Sequence, residues 1–172
     1  MPASAGTGVD ALARAKKVKM GFVAPLTLAV NYGALEGSVG FLLRLAQVSV
    51  MGSLIEVLAP LELRPAQFSA LALIEANPDL PQSNLSAVLG IHRANFVAML
   101  DELEVRGFTT RCVSRHDRRI KTLALTAEGR RVLGRAVALH TAQEAKLQKR
   151  LGSAGRSDLE ELLKKLVAPL PH

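Results

Sequence analysis

Arg93 and Asn95 stand two residues apart beside His92, and further along the chain Arg115, Arg118 and Arg119 fall within five residues of one another. A guanidinium can make paired hydrogen bonds to the edge of guanine, and a carboxamide can do the same to adenine. Arg93 and Asn95 on one helix face would therefore suit the reading of bases in a major groove. His92, at the start of that helix, could meet a phosphate or simply occupy the turn. Arginines gathered on a hairpin tip suit a phosphate backbone or a narrow minor groove, where negative potential is concentrated. A solvated helix and a solvated hairpin would carry the same residue types, so the elements that hold them decide.

Those elements are legible between Pro81 and Gly129. Leu85 and Leu89 lie one helical turn apart on one face. Gly90 follows, able to take the left-handed conformation that ends a helix and turns the chain. Ser86 is small enough for two helices to approach, and Ile91 plugs the corner. From Arg93 the apolar period resumes, with Phe96, Val97, Leu100 and Leu103 expected in a core and His92, Arg93, Asn95 and Ala98 on the other side. That outer face lacks acid in its first two turns, as a helix entering a major groove requires. After Gly107, Phe108 to Val113 and Ile120 to Leu125 alternate like half-buried strands around the basic tip. Asp101 and Glu104 are expected to pair with Arg106 or Arg111. Thr126 is placed to cap the next helix, with Glu128 in its first turn near the positive end of the dipole. Helix, turn, helix and basic hairpin together are the pattern of a winged helix-turn-helix.

Composition narrows the rest. A chain of 172 residues has one domain's worth of core, and with 49% apolar but only 3% aromatic residues that core is aliphatic and helical. A net charge of +7 favours a polyanion, either nucleic acid or an acidic membrane surface, and alone does not choose between them. A lone cysteine, Cys112, rules out an internal disulfide and fits a reducing cytoplasm. No cysteine pairs are spaced for a metal, and no charge-free apolar stretch is expected to be long enough to cross a bilayer. Lys16, Lys17 and Lys19 before the apolar Met20 to Leu35 imitate a secretion signal, but Pro25, Thr27 and Asn31 interrupt it and its basic part lies far from the start. Ser114, His116 and Asp117 have the residue types of a hydrolytic triad, yet neighbours on a hairpin tip cannot converge on one atom. No catalytic residue, metal or cofactor is expected.

In chain order, Met1 to Gly8 reads as a disordered tail, Asp10 to Lys19 as a basic helix or solvated arm, and Phe22 to Tyr32 as apolar enough to need cover. Val39 to Leu58 is apolar over most of its circumference, so a helix there borrows cover from a second subunit. Pro60 stops it, and Pro65 opens the next helix, whose core side is Phe68, Leu71, Ala72 and Ile74. Beyond the hairpin, Arg130 to Leu151 makes one helix, with Leu133, Val137, His140, Glu144, Leu147 and Leu151 in line, and Gly152 ends it. Ser157-x-x-Glu160 then reads as a capping box opening a last helix, ended by Pro169 and Pro171. The expected architecture is mainly α with a small β-wing: a flexible arm (1–38), helical dimerisation segments (39–60 and 127–172) and a winged helix-turn-helix (61–126).

Leu100-Asp101-Glu102-Leu103-Glu104 with Gly107, then Asp117-Arg118-Arg119, then Leu125-Thr126 with Gly129, in this order and spacing, resemble the DNA-binding core of the MarR family of bacterial transcriptional regulators. The resemblance covers roughly Gly40 to Leu170. It implies a homodimer on a double-stranded operator, with Arg119 as the wing arginine in the minor groove and Asp117 holding the hairpin tip by accepting its hydrogen bonds. Arg115 and Arg118 would meet phosphates. It also implies release by a small aromatic carboxylate or its coenzyme A thioester, bound between the dimerisation helices and the winged domain. Tyr32, Arg44, Gln47, Met51 and Phe68 are the candidates for that contact, an arginine for an anionic head beside apolar walls. Peroxide-sensing relatives carry their cysteine near the start of the first long helix, where this chain has none. Thiol sensing through Cys112, whose thiolate Arg111 and Arg115 would favour, is therefore a minor alternative. A winged-helix module used only for protein contacts is another.

Overall fold

The structure is a computed structural model that describes residues 30–117 and 119–168. The tail, the basic helix over Asp10 to Lys19, most of the Phe22 to Tyr32 segment, Arg118, Pro169 and Pro171 lie outside the described residues.

The apolar run becomes α1 (Val39–Leu58), preceded by a 3-10 turn at Gly33–Leu35 and followed by another at Ala59–Leu61. Pro60 lacks the N–H that a further α-turn would use. Only Leu54 and Leu58 of α1 are buried, while Val39, Leu42, Met51 and Ile55 face solvent in the single chain. Val39–Leu61, at mean hydropathy 1.6, is long and apolar enough to cross a membrane by length and composition. It is not free of charge, since Arg44 and Glu56 fall within it, and its C-terminal end enters the core of the winged domain.

Pro65 opens α2 (Pro65–Ala76), which buries Phe68, Ala70, Leu71 and Ile74. Where a capping hydroxyl is expected the chain has Arg64, and Gln67 supplies the other half of a cap, its Oε1 accepting the Arg64 backbone N–H at 3.0 Å. A short α3 (Gln82–Val88) leads through Gly90 to α4 (Arg93–Val105). At this turn Gly90 has φ +62°, and Ile91 N–H donates to the Ser86 carbonyl at 3.1 Å. The end of α4 repeats the device: Gly107 has φ +71° and Phe108 N–H reaches the Leu103 carbonyl at 2.9 Å. Both are Schellman closures, in which glycine satisfies the last carbonyls without the strain a Cβ would bring.

Phe96, Met99, Leu100 and Leu103 form the buried face of α4. Val97, expected in the core, is instead 40% exposed, because the spacing of three, four and seven from Phe96 runs through Met99. β1 (Thr109–Val113) and β2 (Lys121–Leu125) pair antiparallel, Thr109 opposite Leu125 and Val113 opposite Lys121. Pro81 adds an isolated bridge to Thr122, so Thr122 and Leu123 are both buried and the middle of β2 is covered on both faces rather than one.

The last element, α5 (Ala127–Val167), starts where the Thr126 hydroxyl oxygen accepts the Gly129 N–H at 3.0 Å, and bends at Gly152 (φ 73°, ψ 164°). Arg131, hydrogen-bonded to Glu128 in the first turn, holds that carboxyl below the usual carboxylate range. Helix resumes immediately after Gly152, so Ser157 lies inside it and does not open it, a correction to the capping-box reading. The buried line of α5 is Val132, Leu133, Ala136 and Gln143; Val137 and Leu151, expected in that stripe, are exposed. Beyond the bend, Leu159, Leu162, Leu163 and Leu166 all face solvent in the single chain. A helix this apolar and uncovered calls for a surface from outside the chain.

Candidate nucleic-acid interface

His92 is the N-cap of α4, and Arg93 and Asn95 occupy its first turn, all exposed. Phe96, buried one residue later, anchors this end to the core, so the outward direction of Arg93 and Asn95 follows from the burial of their neighbour. Arg93 has no ion-pair partner among the described residues, and the positive end of the helix dipole adds to its charge.

The acids of α4 are all at the other end, and all are paired. Asp101 and Glu104 both bind the Arg111 guanidinium on β1, and Glu104 Oε1 also accepts the Arg111 backbone N–H at 3.3 Å. The hydrogen bond that Arg111 donates to Asp101 raises the Arg111 pKa above its ordinary value, partly opposed by burial and reinforced by Glu104. Glu102 takes Arg64 and, at 3.0 Å, the Gln67 amide. The expected pairing of Asp101 and Glu104 thus falls to Arg111. Arg106 donates instead to the carbonyls of Glu62 at 2.8 Å and Leu61 at 3.1 Å, its guanidinium 4.5 Å over the Phe108 ring. Arg111 ties the wing to α4, and Arg106 ties the end of α4 to the joint between α1 and α2.

At the wing tip the Asp117 carboxylate accepts the Arg119 backbone N–H at 2.8 Å, and the Asp117 carbonyl accepts Ile120 N–H at 3.0 Å. The Arg119 side chain is exposed, with no acid against it among the described residues. Arg115 is also exposed, but its Nε lies 3.4 Å from Asp79 Oδ2 in the turn before α3. Ser114 is buried and its hydroxyl oxygen accepts His116 N–H at 3.2 Å, a backbone role in the tip. Cys112 is half-buried, its Sγ 4.0 Å from the Thr110 carbonyl oxygen. Since Arg111 is held by two carboxylates and Arg115 by Asp79, neither guanidinium stands free beside the thiol.

The five candidate effector residues do not meet in one cavity. Arg44, Gln47 and Met51 follow one another at helical spacing on an exposed face of α1. Tyr32 packs on Phe41 with ring centroids 5.3 Å apart, and the buried Phe68 faces the His140 ring at 5.2 Å. A cavity of about 540 Å³ lies elsewhere, between α1 and α5, lined by neither these three α1 residues nor Tyr32 or Phe68. Its α1 walls, Leu42, Leu45, Ser49 and Ser53 among them, sit on the opposite side of the helix, at about 100° per residue.

A turn between two short helices, an acid-free helix start and a hairpin with outward arginines define a winged helix-turn-helix of the DNA-reading type. The sequence profile described as "MarR family" matches residues 61–120. Over 136 residues, 78% of this chain and 82% of the other, the chain is 31% identical to a protein of Thauera aromatica described as a transcriptional regulatory protein for the hcr operon. It is 41% identical to the transcriptional repressor CouR solved on a 23-mer DNA duplex, covering 82% of this chain and 100% of that one with a TM-score of 0.76. CouR bound to p-coumaroyl-CoA is similar at 40% identity, 82% and 99% coverage and a TM-score of 0.74. The chain belongs to the MarR family of transcriptional regulators.

Proposed function

We propose that two copies of this chain form a cytoplasmic, non-enzymatic repressor that grips a pseudo-palindromic operator and lets go when an aryl-coenzyme A thioester binds. Residues 61–126 meet the DNA, and 39–60 with 127–172 pair the subunits. Arg93 and Asn95 read base edges, His92 and the wing residues Arg115 and Arg118 meet phosphates, and Arg119 enters the minor groove with Asp117 setting its backbone.

The observation that carries this reading is the charge segregation of α4. Asp101, Glu102 and Glu104 are each taken up by Arg111 or Arg64, which leaves the opposite end cationic and open. Neutralised acids no longer repel a phosphate backbone, and unpaired cations release counterions when they meet one. The uncovered apolar faces of α1 and of α5 beyond Gly152 are what a partner subunit would bury. CouR binds both a DNA duplex and p-coumaroyl-CoA, which supports the same class of effector here.

The test is release. A duplex selected by the protein from a random library is labelled, bound, and titrated with p-coumaroyl-CoA while anisotropy is read. The expected result is dissociation at saturating thioester. A complex equally stable with and without it would remove the effector from the account.

A further inference from the structure

Resting on the DNA-reading role of α4, we propose that Val97 is a specificity-determining residue whose methyl groups pack against the 5-methyl group of one thymine in each half-site. The helix sets the order of contacts. At about 100° per residue, Phe96, Met99, Leu100 and Leu103 fall on one side of α4 and are buried there. Arg93, Val97 and Asp101 follow one another at four-residue spacing along an exposed row. Arg93 opens that row with a cation, and Asp101 ends it with a carboxylate already bound to Arg111. Between them stands Val97, an apolar side chain left 40% exposed on the part of the helix that carries no acid.

Ala94 and Ala98, exposed beside it, are shorter and, like Val97, carry no hydrogen-bonding atom in the side chain. Base pairs beneath this stretch are therefore told apart by apolar contact, and the apolar group that a base edge presents in the major groove is the thymine methyl. Cytosine would present an amino donor in the same place, which valine cannot satisfy. Valine also suits the contact because its branched side chain keeps one strongly preferred χ1 rotamer in a helix, so little further freedom is lost when it meets the base. Four residues advance a helix by about 6 Å, close to two base-pair steps of about 3.4 Å. The thymine is accordingly expected within about two base pairs of the base that Arg93 meets.

The deciding experiment uses the intact protein on its selected duplex, remade with deoxyuridine for thymidine at one symmetric pair of positions at a time. Each exchange removes one methyl per half-site and keeps the base-pairing hydrogen bonds. At one pair of positions the unmodified protein is expected to bind about fifteenfold more weakly, about fourfold for each methyl-sized group no longer buried. Val97→Ala, checked as folded by its unfolding midpoint, is expected to bind the thymine duplex about as weakly as the unmodified chain binds the deoxyuridine one, and to be indifferent to the same exchange. A selected duplex on which no thymine pair responds overturns the role of Val97 and leaves DNA reading by α4 intact. So does a Val97→Ala protein that still loses affinity with deoxyuridine, since the methyl would then be felt by another residue or through the shape of the duplex. An unmodified protein that holds selected and scrambled duplexes alike overturns the DNA-reading role and this inference together.

Discussion

Gly129→Ala is expected to cost on the order of 3 kcal/mol of folding stability, at the upper end of what forced overpacking does. A Cβ at this position would overlap the Phe108 carbonyl group, whose carbon lies 2.8 Å away. The obstacle is backbone, not the tip of a flexible side chain, so relief requires moving either α5 or the start of β1. Both are pinned at this point, because the Gly129 N–H donates to Thr126 Oγ1 at 3.0 Å and the Thr126 hydroxyl donates to the Gly107 carbonyl at 2.6 Å. For a chain of this size the loss corresponds to roughly 6 to 12 °C in Tm. Thermal and urea unfolding of the two proteins at equal concentration measure it. A shift under about 0.5 kcal/mol would mean that the wing and α5 are not locked together here.

Arg119→Ala is expected to weaken operator binding at least tenfold at moderate salt, about 1 to 3 kcal/mol, with the unfolding midpoint unchanged. Its backbone is fixed by Asp117 while its side chain engages no acid among the described residues, which suits the minor-groove contact proposed for it. Arg115 makes a contrast within the same hairpin. It is already drawn toward Asp79 at 3.4 Å, and its replacement should cost less. Competition binding of both variants to one labelled duplex ranks them directly. Unaltered affinity in a folded Arg119→Ala protein would take the wing off the DNA.

The turn and the wing were readable in sequence because local chemistry determines them. Gly90 and Gly107 adopt the left-handed backbone that their positions after an apolar period announce, and Thr126 caps α5 as its type predicts. Phase within an apolar cluster was harder. Val97 and Met99 are equally plausible inward residues until the neighbouring helices fix the direction of α4, and packing chose Met99. Gln143 is not legible as a core residue because an amide reads as surface, yet a helix carbonyl on α1 satisfies its donor and permits burial. The effector candidates failed to converge for a related reason. Both sides of α1 are apolar, so periodicity does not say which one meets α5, and Arg44, Gln47 and Met51 lie on the side away from the α1–α5 cavity. Gly152 breaks the helix as its type predicts, but a helix can restart at once beyond a glycine, which leaves the capping pattern at Ser157 inside it.

If charge on α4 and the wing grips duplex DNA, the salt dependence of binding shows it. Anisotropy would be followed on the selected duplex and on a scrambled duplex of equal length, from about 50 to 200 mM salt. For each phosphate neutralised, log K should fall by about 0.9 per unit of log salt. A steep fall is expected on both duplexes, with the selected one held at least about a thousandfold more tightly throughout. Binding that ignores salt and does not distinguish the two duplexes would contradict it, and would leave the winged domain as a surface for another protein.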